Sequence, residues 1–211
     1  MSRGAETRDR IVDQALRLAT RDGLEGISIG SLADATKMSK SGLFAHFGSK
    51  EDLQCVVLRE FATRFEDKVL RAAFAAPRGE PRVRALFDRW IAWLTDPALP
   101  GGCLFLAAAT ELDDREGPPR DVLVESQRAL AATIARSARL AIEEGHFRKD
   151  LDPEQFAFEL FSIIVAYNHA RRLMRDARAG ARAKAAFVRL LADAKAVPVR
   201  AARRRTRKEA R

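Results

Sequence analysis

The stretch SKSGLFAHFGSKEDL, residues 39–53, decides how this chain folds. Ser39 is a typical N-cap for the short helix that follows it, and Gly48 ends that helix. Ser49, with an acidic residue three positions later, resembles a capping box and opens a long helix over about Lys50–Ala75. The stretch therefore predicts a short helix that is followed at once by a long one.

A second short helix precedes this stretch. Ser28 is its predicted N-cap, and Thr36–Met38 forms the turn between the two short helices. Further upstream, an earlier helix is predicted to follow Thr7 as its N-cap and to end at Gly23. Its buried face is predicted from apolar residues at helical spacing: Ile11, Val12, Ala15, Leu16 and Ala19. Two short helices joined by a tight turn predict a helix-turn-helix, a motif that inserts its second helix into the major groove of DNA.

The rest of the chain also has the apolar spacing of helices and lacks the alternation typical of strands. Asp152 and Pro153 mark one helix start clearly, and Pro198 is predicted to end the last helix. The predicted helices are about Pro81–Thr95, Gly102–Asp113, a long Ala-rich segment from the Arg115–Pro119 loop to Glu144, 153–175 and Ala179–Ala196. The chain is therefore predicted to be all-α.

Composition excludes general disorder and a membrane span. Of the 211 residues, 47% are apolar and 32% are charged, which is enough apolar content for a core. The longest apolar run, Cys103–Ala109, is far shorter than the roughly 20 residues of a membrane helix. Met1–Arg10 lacks the apolar centre of a secretory signal. We therefore expect a cytoplasmic protein without a membrane partner.

The net charge of +9 is concentrated at the C-terminus. Residues 200–211 contain six Arg, one Lys and one Glu, so they contribute +6 and the other 199 residues only +3. A run of like charges with few apolar residues predicts disorder, and residues 198–211 are expected to form a basic, disordered tail. The basic composition therefore belongs to the tail and is no argument for nucleic-acid binding by the rest of the chain.

Residues typical of metal sites or catalysis are sparse. Cys55 and Cys103 lack metal-ligand spacing, the three histidines lie far apart, and no phosphate-loop or nucleophile motif occurs. No cofactor, metal or enzymatic activity is therefore expected. A helical enzyme that uses Cys103 or His169 is the remaining catalytic alternative, and neither residue has an acid–base partner nearby in sequence.

Residues 7–54 resemble the TetR/AcrR family of transcriptional regulators, and residues 39–53 are similar to the recognition-helix signature of that family. The resemblance implies an N-terminal three-helix helix-turn-helix domain that a long helix joins to a C-terminal helical domain for ligand binding and dimerisation. The implied boundaries are 1–50 for the DNA-binding domain and 51–197 for the second domain. Beyond residue 54 the resemblance rests only on the number and length of the helices.

The first turn of the second short helix is where such motifs meet base edges. Lys40 can donate to O6 and N7 of guanine, and the small residues Ser41 and Gly42 let the backbone approach. Ser28 and Ser39, at helix starts, can bind phosphate through hydroxyl and backbone N–H groups. These residues are the first candidates for DNA binding.

Four further candidates follow from the resemblance. Lys50 and His46 occupy positions at which the family contacts phosphate. Phe44 stands where the family usually has tyrosine, so it lacks the hydroxyl and is expected to touch a thymine methyl group or a sugar. Lys37 stands where the turn commonly has glycine, which leaves two alternatives, a strained backbone or an additional phosphate contact.

The resemblance implies that the C-terminal helices hold a small-molecule pocket. The apolar candidates for its lining are Phe87, Trp90, Trp93, Leu104, Phe105 and Phe161. The polar candidates are Tyr167, Asn168 and His169. Cys103 belongs to the same set, and its place near a helix start would make it a redox or electrophile sensor if the helix lowered its pKa. The alternative is that all of these are ordinary core residues.

The resemblance also implies that these helices pair two protomers, through a four-helix interface. The candidates for this interface are Phe158, Val165, Phe187, Leu190 and Leu191. The resemblance thus implies a homodimeric repressor that binds a palindromic operator in double-stranded DNA and that an unknown small molecule releases. An activator of the same fold is one alternative. A non-specific architectural protein that binds DNA through its basic tail is another, and it would lose most binding on deletion of the tail.

Overall fold

The computed structural model describes residues 3–195 of the chain, with side-chain surroundings from residue 6 onward. This part is all-α, as the sequence predicts, and contains no β-strand between residues 3 and 195. The helices are α1 (Arg3–Asp22), α2 (Ile29–Thr36), α3 (Lys40–Phe47), α4 (Lys50–Phe65), α5 (Ala72–Phe74), α6 (Glu80–Trp93), α7 (Leu104–Leu112), α8 (Pro118–Glu143), α9 (Pro153–Arg172) and α10 (Ala179–Ala194). We call α1–α3 the head, α4–α5 the link and α6–α10 the body.

Serine caps determine where three consecutive helices begin. Ser28 accepts a hydrogen bond from the backbone N–H of Ser31 at 3.0 Å and so begins α2. Ser39 and Ser49 begin α3 and α4 in the same way, each accepting from the backbone N–H three residues ahead. Each hydroxyl satisfies an N–H group that has no partner within its own helix, a contribution of about 1 kcal/mol. The predicted starts of these helices are confirmed.

The start of α1 differs from the prediction. The helix begins at Arg3, so Thr7 lies inside it rather than at its N-cap. The alanine and glutamate directly before Thr7 are strong helix formers, and their propensity extends the helix toward the N-terminus. The predicted end is confirmed, since Gly23 has a φ of +86° in the left-handed region that glycine favours.

The link is not the uniform α-helix that the sequence predicts over Lys50–Ala75. It continues without a break, but Glu66–Arg71 is π-helical, and the last α-helical turn ends at Phe74. A π-helical segment has wider turns and shifts the faces of the helix that follow it, and such segments are frequent at functional sites. No glycine or proline occurs in Glu66–Arg71, so the sequence contains no breaker that would predict the change.

The body helices begin and end within three residues of their predicted bounds. Asp152 accepts hydrogen bonds from the backbone N–H groups of Glu154 and Gln155, which confirms it as the N-cap of α9. α10 ends at Ala194, shortly before its predicted end at Ala196, whereas Pro198 and the predicted basic tail, 198–211, lie outside the described residues.

An aromatic cluster fills the space where the link meets α6, α7 and α9. The ring centroids of Phe61 and Phe105 are 4.8 Å apart, and those of Trp90 and Phe161 are 5.9 Å apart. Most pairs in the cluster meet edge to face, an arrangement that aligns the positive ring edge with the negative ring face. The members of this aromatic cluster are Phe61, Phe65, Trp90, Trp93, Phe105 and Phe161.

Membrane-spanning helices and metal-binding clusters are both absent from the described range, residues 3–195. None of its helices has both the length and the apolar character that crossing a membrane requires. In the same range, no group of three or more His, Cys, Asp or Glu side chains is placed to hold a metal ion.

Candidate DNA-binding surface and effector region

The first turn of α3 is exposed, whereas the rest of the helix is anchored in the head. Lys40 and Ser41 are exposed, and Leu43 and Phe47 are buried. The hydroxyl of Ser39 already has partners within α3. It accepts a hydrogen bond from the backbone N–H of Gly42 at 3.2 Å and lies 3.2 Å from the Ser41 hydroxyl. The helix therefore presents a lysine and small polar groups to solvent while two apolar residues hold it in place.

The outer face of α3 continues with an exposed aromatic ring. Phe44 is 51% exposed, which is unusual for a large apolar side chain on a short helix. Gly42 and His46 are half-buried, and the imidazole of His46 lies 6.2 Å from the ring of Phe47. Lys40, Ser41 and Phe44 share one side of the helix, so they can meet a partner surface together.

The turn before α3 contains a strained residue. Lys37 has φ +57° and ψ +34°, in the left-handed region, and its N–H donates to Ala33 O to close α2. A non-glycine residue pays roughly 1–2 kcal/mol for this conformation, which glycine adopts without penalty. Of the two alternatives for Lys37, the structure shows the strained backbone directly. The side chain is exposed and is free to make a contact as well.

Lys50, the expected phosphate ligand at the start of the link, is held by an acid of the α1–α2 turn. Its Nζ donates to the backbone O of Glu25 at 2.9 Å and to the Glu25 carboxylate at 3.1 Å. The same carboxylate accepts from Gln54 and forms a 3.0 Å ion pair with Arg115. Burial opposes ionisation of Glu25, but the hydrogen bonds from Gln54, Lys50 and Arg115 outweigh it and lower the pKa of the carboxyl.

A junction between α7 and the α1–α2 turn connects the body to the head. The Glu111 carboxylate accepts from the backbone N–H of Leu24 at 3.1 Å and from that of Glu25 at 2.7 Å. Gly23 makes this approach possible, because a Cβ at that position would lie 2.6 Å from a Glu111 oxygen. Gly101 packs against the end of α1 so closely that a Cβ there would overlap the backbone O of Thr20. We call these contacts the head junction.

Several expected pocket residues converge on the aromatic cluster. Trp90, Trp93 and Phe105 are buried members of it, and Phe161 is half-buried at its edge. Leu104 and Tyr167 are buried, and Asn168 is half-buried. Phe87 belongs to a different stack, with Phe187, and His169 is exposed on α9, so the structure does not bring these two to the cluster.

Three buried polar atoms of the body have no hydrogen-bond partner among the described residues. They are the indole nitrogens of Trp90 and Trp93 and the side-chain oxygen of Asn168. A buried polar group left without a partner costs about 1–3 kcal/mol, so such groups call for an explanation. Two donors and one acceptor are thus available in the interior of the body.

A groove of about 650 Å³ opens between the link and α8, beside the aromatic cluster. Phe65 and Phe105 belong both to the cluster and to the groove lining. The π-helical segment forms part of one wall, which sequence reasoning did not foresee. Further lining residues are Glu66, Leu70, Phe74, Val122, Ser126 and Leu130. The groove reaches the edge of the cluster at these two rings.

The five expected dimer residues divide between two faces. Phe158 and Val165, on α9, are 67% and 39% exposed. Phe187, Leu190 and Leu191 are buried, which corrects their assignment to an interface. They fill the core of their own protomer, since α10 packs on α9 and the Phe187 ring stacks on that of Phe87 at 4.0 Å. The exposed face of α10 has another set of apolar residues at helical spacing: Ala181, Ala185, Val188 and Ala192.

Two family models match the chain. One, described as "Tetracyclin repressor-like, C-terminal domain", matches residues 79–187. The other, described as "Bacterial regulatory proteins, tetR family", matches residues 11–54. The chain belongs to the TetR family. The resemblance seen in residues 7–54 is confirmed, and the chain is a TetR-family transcriptional regulator.

Curated relatives match parts of this TetR-family regulator. The transcriptional repressor ComR of Escherichia coli is 30% identical over 111 residues, which are 52% of this chain and 53% of ComR. The transcriptional repressor AcnR of Corynebacterium glutamicum is 36% identical over 63 residues, 30% of this chain and 34% of AcnR. The chain thus spans about half or less of the length of these relatives.

Solved structures match nearly the whole chain. A TetR transcriptional regulator from Chloroflexus aurantiacus has a TM-score of 0.81 at 25% identity, over 91% of this chain and 96% of that one. AibR, solved in complex with isovaleryl coenzyme A and operator DNA, has a TM-score of 0.65 at 23% identity, over 77% and 85% of the two chains. At 23% identity, the likeness to AibR shows the fold alone.

Cys103 is not the low-pKa thiol that its place at a helix start suggested. It is the N-cap residue of α7 in this TetR-family regulator, and it is buried. Burial raises the pKa of the Cys103 thiol to about 11, although hydrogen bonds from the backbone N–H groups of Leu106 and Phe105 act in the opposite direction. A reactive sensor cysteine needs a thiolate and access to solvent, and Cys103 has neither at neutral pH.

Sequence reasoning missed the residues of the head junction. Glu111 is one of many glutamates in the chain, and nothing in its neighbourhood indicates a partner 86 or 87 residues away. The available signal was indirect, in the form of Gly23 and Gly101, which stand where another residue would not fit. Arg115, the partner of Glu25, follows α7 directly and has no motif around it.

Proposed function

We propose that this protein is a homodimeric repressor that binds a palindromic double-stranded operator and that a small molecule releases from it. The head junction is the observation that carries this proposal. Its helix, α7, contributes Phe105 to the aromatic cluster and Glu111 to the backbone of the head. A displacement of α7 by a ligand must therefore move the head or break these hydrogen bonds. The names of ComR and AcnR, both transcriptional repressors, favour repression over activation.

Base recognition is assigned to the exposed face of α3. Lys40 can donate to guanine O6 and N7, and the small side chains of Ser41 and Gly42 allow the helix to enter the major groove. Phe44 offers an exposed apolar ring to a thymine methyl group or a sugar. Lys40, Ser41 and Gly42, the three residues after the N-cap, thus supply contacts to bases, and Phe44 supplies an apolar contact.

Phosphate contacts are assigned to residues around α3. Their common feature is a basic side chain or an N-cap at a helix start, and they are Ser28, Lys37, Ser39, His46 and Lys50. Backbone N–H groups at helix starts and basic side chains are the usual donors to phosphate oxygens. Lys50 forms an ion pair with Glu25 in the free protein. On docking, its ammonium group would either leave Glu25 for a phosphate or contact both.

Two protomers are proposed to pair through the exposed faces of α9 and α10. Phe158 and Val165 supply the large apolar contacts, and the small residues on α10 let the helices approach closely. The interface would be the same patch on both protomers, related by a two-fold axis. In such a pair the two α3 helices would enter the major groove at two half-sites, roughly 34–36 Å or a somewhat larger distance apart, so the operator is expected to be a palindrome.

The effector is proposed to bind at the aromatic cluster and to enter through the groove beside α8. The lining calls for a largely apolar ligand, and the unpartnered indole N–H groups of Trp90 and Trp93 call for a hydrogen-bond acceptor on it. The free oxygen of Asn168 would accept from a ligand hydroxyl or amide. Leu104 and Tyr167 would complete the wall behind the rings.

Release requires that the ligand bind one position of α7 better than the other. A ligand that favours the displaced helix would withdraw Glu111 from the α1–α2 turn and turn the two heads away from their half-sites. Couplings of this kind are typically about 1–3 kcal/mol, which lowers operator affinity by about five- to 150-fold. A ligand that binds both positions of α7 equally well would leave the operator occupied, however tightly it binds.

The experiment uses the two tryptophans of the chain, both of which are in the aromatic cluster. The operator is first obtained by selection on randomised duplexes. Hydrophobic carboxylic acids are then titrated while tryptophan fluorescence and operator binding are measured. We expect a palindromic site, and a compound that changes the fluorescence and releases the operator. Wild-type binding to DNA without any sequence preference would contradict the proposal. So would a dimer that binds both the operator and a ligand at the aromatic cluster, but whose operator affinity that ligand does not change.

A further inference from the structure

A second basic surface lies on the head, beside the recognition helix. A groove of about 560 Å³ separates α1 from the α2–α3 turn. Its walls have three cationic side chains, those of Arg10, Arg17 and Lys37. Met38, which lines the groove, directly precedes Ser39, the N-cap of α3. The groove therefore lies beside the first turn of α3, which is proposed to read bases.

The three cations are not neutralised within the described part of the protein. Among residues 6–195, none of Arg10, Arg17 and Lys37 has an acidic partner within ion-pair distance. Asp13, the acid in the groove lining, is bound by Arg64 of the link. The other lining side chains are neutral, so the groove has a net positive charge that suits an anion.

Lys37 supplies an independent argument. Its backbone is strained at φ +57°, and a glycine in its place would remove the strain. Strained residues that the surrounding structure holds in place cluster at binding sites. The side chain of Lys37 forms no ion pair in the described part of the protein, so its positive charge in the groove lining is the property that a glycine would lose.

We propose that this groove binds DNA-backbone phosphates that flank each half-site, through Arg10, Arg17 and Lys37. The inference rests on the proposed function, because the head must dock on a duplex for the groove to reach its backbone. Guanidinium groups suit phosphate, since they donate two parallel hydrogen bonds to its oxygens. Residues 1–50 have a formal charge of only +2, from eight basic and six acidic residues, so affinity depends on where the free cations lie.

The test compares Arg10→Gln, Arg17→Gln and Lys37→Gly with wild type on two duplexes. One duplex ends at the selected operator, and the other extends about one helical turn beyond it on each side. Dissociation constants are measured against salt concentration. We expect each substitution to lower the salt slope by about one on the longer duplex, with base preference unchanged. The triple variant is expected to lose at least about tenfold in affinity there, and much less on the short duplex.

Arg89→Gln is the matched control, because Arg89 is an exposed arginine of α6 in the body. It should leave both the salt slope and the affinity unchanged. Lys37→Gly removes a charge while it relieves strain, so a loss of DNA binding in this variant cannot come from a weakened fold. Equal slopes for wild type and all three groove variants would overturn the inference, as would equal losses on both duplexes. A wild type with sequence preference would still support the proposed function in either case.

Discussion

The head and the body place their functional candidates in opposite environments. In the head, Lys40 and Ser41 are exposed on a helix that two buried residues anchor. In the body, Trp90 and Trp93 are buried in the aromatic cluster. A rigid partner such as a duplex is met by side chains that already point outward. A small ligand instead has to reach an interior, so the body must open or rearrange to admit it.

The difference also separates what a motif specifies from what packing decides. A helix of eight residues such as α3 has one buried side, and the positions of Leu43 and Phe47 determine it. A helix that is apolar on more than one side, such as α9, has two possible interiors. There the neighbours decide, and they bury Phe156 while Phe158 stays exposed.

The largest effect is expected from the core of the body. Phe87→Ala removes a buried ring that stacks at 4.0 Å on Phe187, and it should lower the free energy of unfolding by about 3–5 kcal/mol. Phe44→Ala, on the exposed face of α3, should change it by less than about 0.5 kcal/mol. Urea unfolding at one fixed protein concentration measures both variants. Equal losses would contradict the contrast between a buried body and an exposed recognition surface.

The reactivity of Cys103 tests whether the interior of the body is closed to solvent. With a pKa of about 11, the thiol is ionised to about one part in a thousand at pH 8. Alkylation by iodoacetamide should therefore be at least about a hundredfold slower in the native protein than in urea, where an ordinary cysteine has a pKa near 8.5. Peptide mass spectrometry over time gives both rates. Rapid native modification would restore the sensor hypothesis for α7.

Phe158→Glu tests whether the exposed face of α9 pairs two protomers. A charge in an apolar interface has no partner there, so the dimer should dissociate. Loss of the second head removes its avidity, and operator affinity should fall about 100-fold or more. Sedimentation at micromolar concentration measures the mass. Phe74→Glu, at an exposed site on the link, is the control that should remain dimeric. A dimer that survives Phe158→Glu would move the interface elsewhere.

Lys40→Ala sharpens the account of the head. Loss of a base contact should cost about 1–3 kcal/mol on the operator and relax the preference at one base position in each half-site. Binding to random DNA should fall less, because phosphate contacts supply most of that affinity. Selection on randomised duplexes at one salt concentration compares wild type with the variant. Uniformly weaker binding with the same preferences would make Lys40 a phosphate ligand.

Lys37→Gly should give the smallest change, and in the stabilising direction. Glycine adopts φ +57° without the penalty that lysine pays, so the free energy of unfolding should rise by about 1 kcal/mol. Lys37→Ala removes the charge but keeps the penalty, so it should not stabilise the protein. Thermal unfolding of the two variants separates strain from charge. A glycine variant no more stable than the alanine variant would show that the turn is not strained.

The sequence determined the features that depend on residues within about four positions of one another. Ser28, Ser39, Ser49 and Asp152 begin their helices where the chain predicts them, because each cap binds an N–H group two or three residues ahead. The helix-turn-helix, the all-α class and the TetR family followed from such local signals. The exposed face of α3 follows too, since its short helix has a single anchor side.

Tertiary structure decided the features that depend on contacts between distant parts of the chain. Glu111 meets Leu24 and Glu25 across 86 or 87 residues, and no local pattern predicts that pairing. The burial of Phe187 behind the exposed face of α10, and the burial that raises the pKa of Cys103, depend likewise on which helices pack together. The physical reason is range: caps and helical periodicity act within one or two turns, whereas burial is set by every element that packs against a residue.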